Sequence, residues 1–132
     1  QHMSAGTGVT HSEYNAGTDP VELLQIWMQP SKKGVSPSYA QQSFRLTKNQ
    51  LTTIVSGKGE GILMYADASL ALVELEHGKS VALNAEKTYI LVISGKMNVN
   101  GDELNERDAA AVMNEQLTIH AIKPGKLLIL HV

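Results

Sequence analysis

Hydrophobic and polar residues alternate with a period of two along most of the chain, and turn residues interrupt this alternation at short intervals. A period of two places successive side chains on opposite faces of a sheet, so each strand can bury one face. Short strands at this spacing predict an all-β sandwich or barrel. The strands predicted from residue 62 onward are 62–65, 71–76, 79–83, 88–94, 96–99, 103–104, 110–113, 117–121 and 126–131.

The turns between these strands carry their own residue signals. Asn100-Gly101 separates two alternating runs, and both residues accept the positive φ of a type I′ turn, so this dipeptide is the strongest hairpin signal. The glycine-rich loop 57–61 lacks the Gly-Lys-Ser/Thr ending of a phosphate-binding loop, and we interpret it as a turn. Further turns are predicted at His77-Gly78, residues 84–86, Ser94-Gly95 and Pro124-Gly125.

The N-terminal third of the chain is less regular. Residues 21–28 alternate apolar and polar side chains and predict a strand that ends before Pro30. Residues 29–43 are rich in Pro, Ser, Lys and Gly, which is typical of a long surface connection. After this connection we predict a short helix near residues 47–50 and a strand over residues 51–55.

Composition narrows the class of protein. With 132 residues and 42% hydrophobic content, the chain can bury one ordinary core, so a single domain is expected. A formal net charge of −2 without a run of like charge argues against nucleic acid or an anionic membrane as a partner. No apolar run approaches the roughly 20 residues that a membrane-spanning helix needs. The chain contains no cysteine, which excludes disulfides and thiolate metal sites and suits a cytoplasmic location.

The densest candidate chemistry lies before Asn15. His11 and Glu13 are two residues apart, and on an extended segment such side chains point in the same direction. One imidazole nitrogen and one carboxylate oxygen could therefore bind the same metal ion. Two donors supply only half of a four-ligand metal site.

Short sequence phrases link the chain to a known family. They are His-Ser-Glu-Tyr-Asn at 11–15, Leu-Gln-Ile-Trp at 24–27, Pro-Ser-Tyr-Ala-Gln at 37–41 and, less specifically, Val-Asn-Gly at 99–101. Gly8, His11 and Asn15 also match the second cupin motif. On these residues the chain resembles the pirin-like bicupins, a family that includes bacterial quercetin 2,3-dioxygenases. The resemblance implies an all-β cupin fold, which is a jelly-roll barrel.

The resemblance also implies a division of the chain and a set of ligands. Residues 1–28, here called the arm, would be closing strands of an N-terminal cupin, 29–43 the inter-barrel connection, and 44–132 the C-terminal cupin. His11 and Glu13 would be two of four ligands of a divalent metal ion, most simply Fe(II), with copper, nickel, manganese or zinc as alternatives. The other two ligands have no counterpart here, so we expect the isolated chain to bind metal weakly and to be inactive. The ligand positions of the C-terminal cupin hold no histidine or carboxylate, which predicts a metal-free barrel.

Different functions remain compatible with these observations. The first is a metal-dependent quercetin 2,3-dioxygenase that opens the ring of a flavonol, with Glu13 as both ligand and proton acceptor. The second is a pirin-type metal-binding protein with a regulatory or interaction role, and the third is a purely structural cupin half. The aromatic side chains Tyr14, Trp27 and Tyr39 could line a flavonoid pocket or pack in the core and between barrels. Unpaired strand edges at residues 1–5 and 21–28 predict a homodimer or an exchange of arms between two copies.

Overall fold

The fold consists of β-strands and connecting segments without any helix, as the alternating pattern predicts. The computed structural model describes all residues, 1–132. The all-β prediction is confirmed. The strands are β1 (His2–Ser4), β2 (Ser38–Ala40), β3 (Thr52–Ser56), β4 (Ile62–Leu63), β5 (Ser69–Leu75), β6 (Ser80–Val99), β7 (Asp102–Asn105) and β8 (Ala109–His131).

The strands form two sheets. β1 and β2 make a small antiparallel sheet in which His2 lies opposite Ala40 and Ser4 lies opposite Ser38. The other strands form one sheet in the order β4-β3-β5-β8-β6-β7. Unpaired strand edges were predicted at residues 1–5. In the structure β2 pairs with one edge of β1, so that edge is not free.

The two long strands β6 and β8 wrap around each other and shape the barrel. Thr88 in the middle of β6 pairs with both Val112 and His131, which belong to opposite ends of β8. The middle of β6 therefore has β8 on both of its edges. This double pairing requires β8 to curve around β6, and the register shifts between Val92 and Met97 mark where β6 itself bends.

A close backbone crossing explains two errors in the predicted turns. A Cβ atom at Gly125 would overlap the carbonyl oxygen of Ser94, and one at Gly95 would overlap that of Pro124. Ser94-Gly95 and Pro124-Gly125 were predicted as turns, but they lie within β6 and β8, where the two strands pass each other. Residues 84–86 are likewise part of β6 rather than a turn, since Asn84 and Ala85 pair with Gln116 and Glu115 of β8.

The core lies on the inward face of β5, β6 and β8. Alternate side chains such as Ile90 and Val92, or Leu127 and Ile129, are completely buried, as a period of two requires. A smaller cluster around Met64, Leu70 and Leu128 packs against Met28 of the arm. The members of the main cluster are Val73, Leu75, Ala85, Ile90, Val92, Met97, Val99, Leu117, Ile119, Ala121, Leu127 and Ile129.

The hairpin prediction at Asn100-Gly101 is confirmed. Asn100 has φ 51° and Gly101 has φ 105°, and the two residues connect β6 to β7. The Asn100 side chain also bonds to β8, because its Oδ1 accepts from the Thr118 amide at 2.8 Å and its Nδ2 donates to the Gln116 carbonyl at 2.9 Å. The turn at His77-Gly78, the turn in the glycine-rich loop and the strand over 51–55 are also found.

Two predicted elements are absent. Residues 21–28 form no strand, and apart from Met28 their apolar side chains remain largely exposed, as at Val21, which is 64% exposed, and Trp27, which is 86% exposed. No helix forms at residues 47–50. That segment is a turn in which the Asn49 amide donates to the Glu74 carbonyl, and its side-chain Oδ1 accepts from the Glu76 amide at 3.0 Å. Contacts with β5 thus replace local helical bonds.

The arm contacts the barrel at few points. Arg107, in the turn between β7 and β8, donates to Glu22 at 2.8 Å, and both side chains are largely exposed. The Ser31 amide donates to the Tyr65 carbonyl at 2.8 Å. The division into residues 1–28, 29–43 and 44–132 stays a prediction. No helix of the structure has the length and apolar character needed to cross a membrane.

Candidate metal centre

The candidate ligands His11 and Glu13 lie on an exposed segment of the arm that has no regular secondary structure. β1 ends at Ser4, and a turn follows in which the Gly8 amide donates to the Ala5 carbonyl at 2.9 Å. Gly6 has φ 59° in this turn, and a Cβ atom there would lie 2.7 Å from Cγ of Pro37. The backbone therefore passes closely over the connection before it reaches His11.

His11 contacts the distant part of the arm. Its Nε2 lies 3.5 Å from Nε2 of Gln25. An amide nitrogen can only donate, so His11 is the acceptor in this contact when Nε2 carries no proton. The same lone pair would bind a metal ion, which means that a metal ion would use Nδ1 or displace Gln25.

Glu13 is held by the other end of the arm. Its Oε1 accepts a hydrogen bond from Nε2 of Gln1 at 2.5 Å, and Oε1 of Gln1 accepts one from the hydroxyl of Tyr39 at 3.2 Å. No lysine or arginine forms an ion pair with this carboxylate, since the ion pairs of the chain involve Glu22, Glu76 and Glu103. The carboxylate thus keeps its charge available for a cation.

The donor types fit a transition metal, and the number of donors is incomplete. Imidazole nitrogen and carboxylate oxygen suit iron, nickel, copper, zinc or manganese. No group of three or more His, Cys, Asp or Glu side chains is placed to hold a metal ion within residues 1–132. The assignment of His11 and Glu13 as ligands stays a prediction that needs donors from outside these residues.

The histidines of the barrel bind partners within the sheet. Nδ1 of His131 lies 2.9 Å from Oγ1 of the buried Thr88, and burial lowers the pKa of His131. His77 Nδ1 donates to the carbonyl of Ile122 at 2.8 Å, and His120 Nδ1 lies 3.0 Å from Oγ of Ser80. These contacts join residues at least 40 positions apart, so no local sequence signal could have identified them.

The aromatic side chains Tyr14 and Trp27 of the arm and Tyr39 of the connection are exposed to solvent. Tyr14 and Trp27 are each 86% exposed and Tyr39 is 58% exposed, so none of them packs in the core, which was one of the two roles considered. A cavity of about 630 Å³ lies between the β6–β7 hairpin and the start of β8. Its lining includes Val99, Leu104 and residues 109–113.

The fold, in which the long strands β6 and β8 pair with each other along two edges and enclose one apolar core, is that of a cupin barrel. Residues 53–132 match the family model described as the quercetinase C-terminal cupin domain. The chain therefore belongs to the pirin-like family of bicupins, and these residues are its C-terminal cupin.

Curated relatives agree with this membership over the whole chain. A Pseudomonas aeruginosa protein, provisionally named a quercetin 2,3-dioxygenase, is 33% identical over 141 residues that cover 100% of this chain and 61% of the relative. The Escherichia coli protein named quercetin 2,3-dioxygenase is 32% identical over 98% of this chain and 58% of its own length. This chain thus spans about 60% of the length of these relatives.

Solved structures agree in fold. The structure of YhhW from Escherichia coli superimposes with a TM-score of 0.73 at 23% identity, covering 79% of this chain and 47% of YhhW. A structure of the same bacterial pirin in complex with nickel(II) gives a TM-score of 0.70 at 23% identity, over 76% of this chain and 46% of that one. The predicted cupin fold is confirmed by these similarities.

Proposed function

We propose that residues 1–132 are the C-terminal part of a pirin-like, metal-dependent quercetin 2,3-dioxygenase. The observation that carries the proposal is the pair His11 and Glu13, exposed on the arm and free of any ion pair, in a chain whose full length matches proteins of that name. The remaining ligands would come from an N-terminal cupin, as the family resemblance implies. The substrate would be a flavonol.

His11 and Glu13 would have separate roles in such a site. His11 would bind the metal ion through a ring nitrogen, and Glu13 through the carboxylate oxygen that Gln1 does not occupy. A bound ion of this type, most simply Fe(II), polarises the oxygens of a coordinated substrate. Glu13 would also accept the proton of the flavonol hydroxyl.

The test uses the complete gene product loaded with metal. Glu13→Gln should reduce oxygen uptake and loss of quercetin by at least about 100-fold, because it removes a charged ligand and the base together. His11→Ala should do the same. Glu60→Gln is the matched control, since Glu60 is an exposed carboxylate in the glycine-rich loop without an ion pair.

The outcomes separate the enzyme from its alternatives. If the metal-loaded wild-type protein consumes no oxygen with any flavonol, the dioxygenase proposal is wrong. The second candidate, a metal-binding regulatory or interaction protein, would then be favoured. A Caulobacter vibrioides relative, 30% identical over 98% of this chain, is named simply a pirin-like protein, which is consistent with that role. If Glu13→Gln keeps full turnover, the enzyme remains and the residue assignment is wrong.

A further inference from the structure

Gln1 and Tyr39 form a small network of hydrogen bonds with Glu13. Gln1 Nε2 donates to Glu13 Oε1 at 2.5 Å, and the Tyr39 hydroxyl reaches Gln1 Oε1 at 3.2 Å. Glu13 and Gln1 are 12 positions apart, and Tyr39 is 38 positions from Gln1. The tertiary structure alone brings these three side chains together.

The backbone around the network holds its members in place. β1 pairs with β2 so that Met3 lies opposite Tyr39, which puts Gln1 beside the end of β2. The Tyr39 hydroxyl has a single hydrogen and two amide oxygens within reach, Gln1 at 3.2 Å and Gln41 at 2.6 Å. Tyr39 therefore bonds to one glutamine at a time, and Gln1 remains in contact with Glu13 in either case.

The chemistry of the network differs from that of an ion pair. An amide donor fixes the direction of a carboxylate while leaving its negative charge uncompensated. It uses one lone-pair site of Oε1, so that Oε2 is the oxygen of Glu13 with both lone-pair sites free for a metal ion. Partners that orient a metal ligand in this way are a regular part of metal sites.

We propose that Gln1 is a positioning residue, which directs Oε2 of Glu13 toward the metal ion. Tyr39 acts on Glu13 only through Gln1. This inference rests on the proposed function, because it takes Glu13 as a ligand. Removing a partner that orients a ligand typically lowers metal affinity by about 10-fold to 100-fold.

The experiment measures binding of nickel(II) alone to the complete gene product by calorimetry, without a flavonol. Gln1→Leu should weaken binding by about 10-fold. Tyr39→Phe should have a smaller effect, because Gln1 still reaches Glu13. Gln42→Leu is the matched control, since Gln42 is exposed and makes no side-chain hydrogen bond, and it should leave the affinity unchanged. The absorption spectrum of the cobalt(II) protein should change with Gln1→Leu and stay the same with Gln42→Leu.

A double-mutant cycle separates positioning from a general structural effect. In a Glu13→Gln background, Gln1→Leu should cause little further loss of nickel affinity, because the two side chains act through one ligand. The proposal is overturned if the losses of nickel affinity from the two substitutions are fully additive. It is also overturned if Gln1→Leu keeps the wild-type affinity, or if the wild-type protein binds no nickel. The two proposals can also fail separately. If the substitutions show coupled losses of nickel affinity but the wild-type protein does not turn over quercetin, the positioning role is supported and the dioxygenase proposal fails.

Discussion

His131 is a residue at which burial couples stability to pH. Its ring lies beside the buried Thr88, and burial lowers its pKa below the ordinary value of 6.5. The unfolded chain therefore takes up a proton at a higher pH than the folded chain. Stability from this group is complete above about pH 6.5 and is lost as the pH falls below that value.

Replacing His131 tests this coupling. His131→Gln should reduce the loss of unfolding free energy between pH 7.5 and pH 5, measured by urea denaturation at each pH. Thr88→Val is the control, because it removes the hydroxyl partner and leaves the titrating ring in place. A slope remains in His131→Gln, since burial also lowers the pKa of His2. An unchanged slope in His131→Gln would contradict the prediction.

Asn100 combines a positive φ with three side-chain hydrogen bonds to β8, of which those to Thr118 and Gln116 are the shorter. Alanine there would lose the bonds to Thr118 and Gln116 and would also adopt φ 51° at a cost. Asn114 is a matched control, because it has φ 57° and its side chain makes no hydrogen bond. Asn100→Ala should lower the free energy of unfolding by about 1–2 kcal/mol more than Asn114→Ala does. Equal losses in thermal or urea unfolding would show that the side-chain bonds add nothing.

At the scale of elements, the crossing of β6 and β8 is the tightest constraint in the barrel. A Cβ atom at Gly125 would overlap the carbonyl of Ser94, and neither strand can move without disturbing the paired residues on both sides. Gly125→Ala should therefore destabilise the protein by about 3 kcal/mol. Gly78→Ala is the control, because Gly78 has φ 74° with open space around it, and it should cost about 1–2 kcal/mol. The comparison requires urea unfolding of both variants, and a smaller cost at Gly125 would argue against the crossing.

The contacts between the arm and the barrel contribute far less to stability than the crossing of β6 and β8 does. The ion pair between Glu22 and Arg107 has side chains that are 75% and 73% exposed, so it contributes about 0–1 kcal/mol. The residues between Gly8 and Ser31 donate no backbone hydrogen bond to another segment's carbonyl group. The arm is therefore the element whose geometry another surface can most easily change.

At the scale of the whole molecule, the apolar side chains of the arm form an exposed surface that no other part of the chain covers. Five apolar side chains of the arm are each at least 41% exposed, namely Val21, Leu23, Leu24, Ile26 and Trp27. Clusters of this kind mark sites of association. The predicted homodimer or exchange of arms remains a prediction that this surface supports.

Light scattering at rising concentration tests that association on residues 1–132. We expect the wild-type chain to form dimers, and the pair Leu24→Ser and Trp27→Ser to return it to a monomer. Met113→Ser is the control, because Met113 is 64% exposed and lies on the barrel. A strict monomer whose amides at residues 9–27 resist hydrogen exchange would contradict association and would mean that the arm is covered by its own barrel.

The residue pattern alone predicted what depends on local preference. Asn100-Gly101 formed the expected turn because Asn and Gly accept positive φ, whatever surrounds them. Alternation along the chain predicted an all-β fold, because a strand directs neighbouring side chains to opposite faces and can bury one of them. The spacing of His11 and Glu13 and their match to a known motif marked them as candidate ligands, and this assignment stays a prediction.

Only the tertiary structure decided features that depend on a distant partner. Pro124-Gly125 carries a local turn signal, yet it continues a strand because β6 crosses there and needs a residue without a Cβ atom. Residues 21–28 alternate like a strand but remain outside any sheet, since alternation needs a neighbouring strand to become structure. The contact of Gln1 with Glu13 likewise arises from the pairing of β1 with β2 and the bend after it. A local pattern states which conformations a segment can adopt, and the free energy of long-range pairing selects among them.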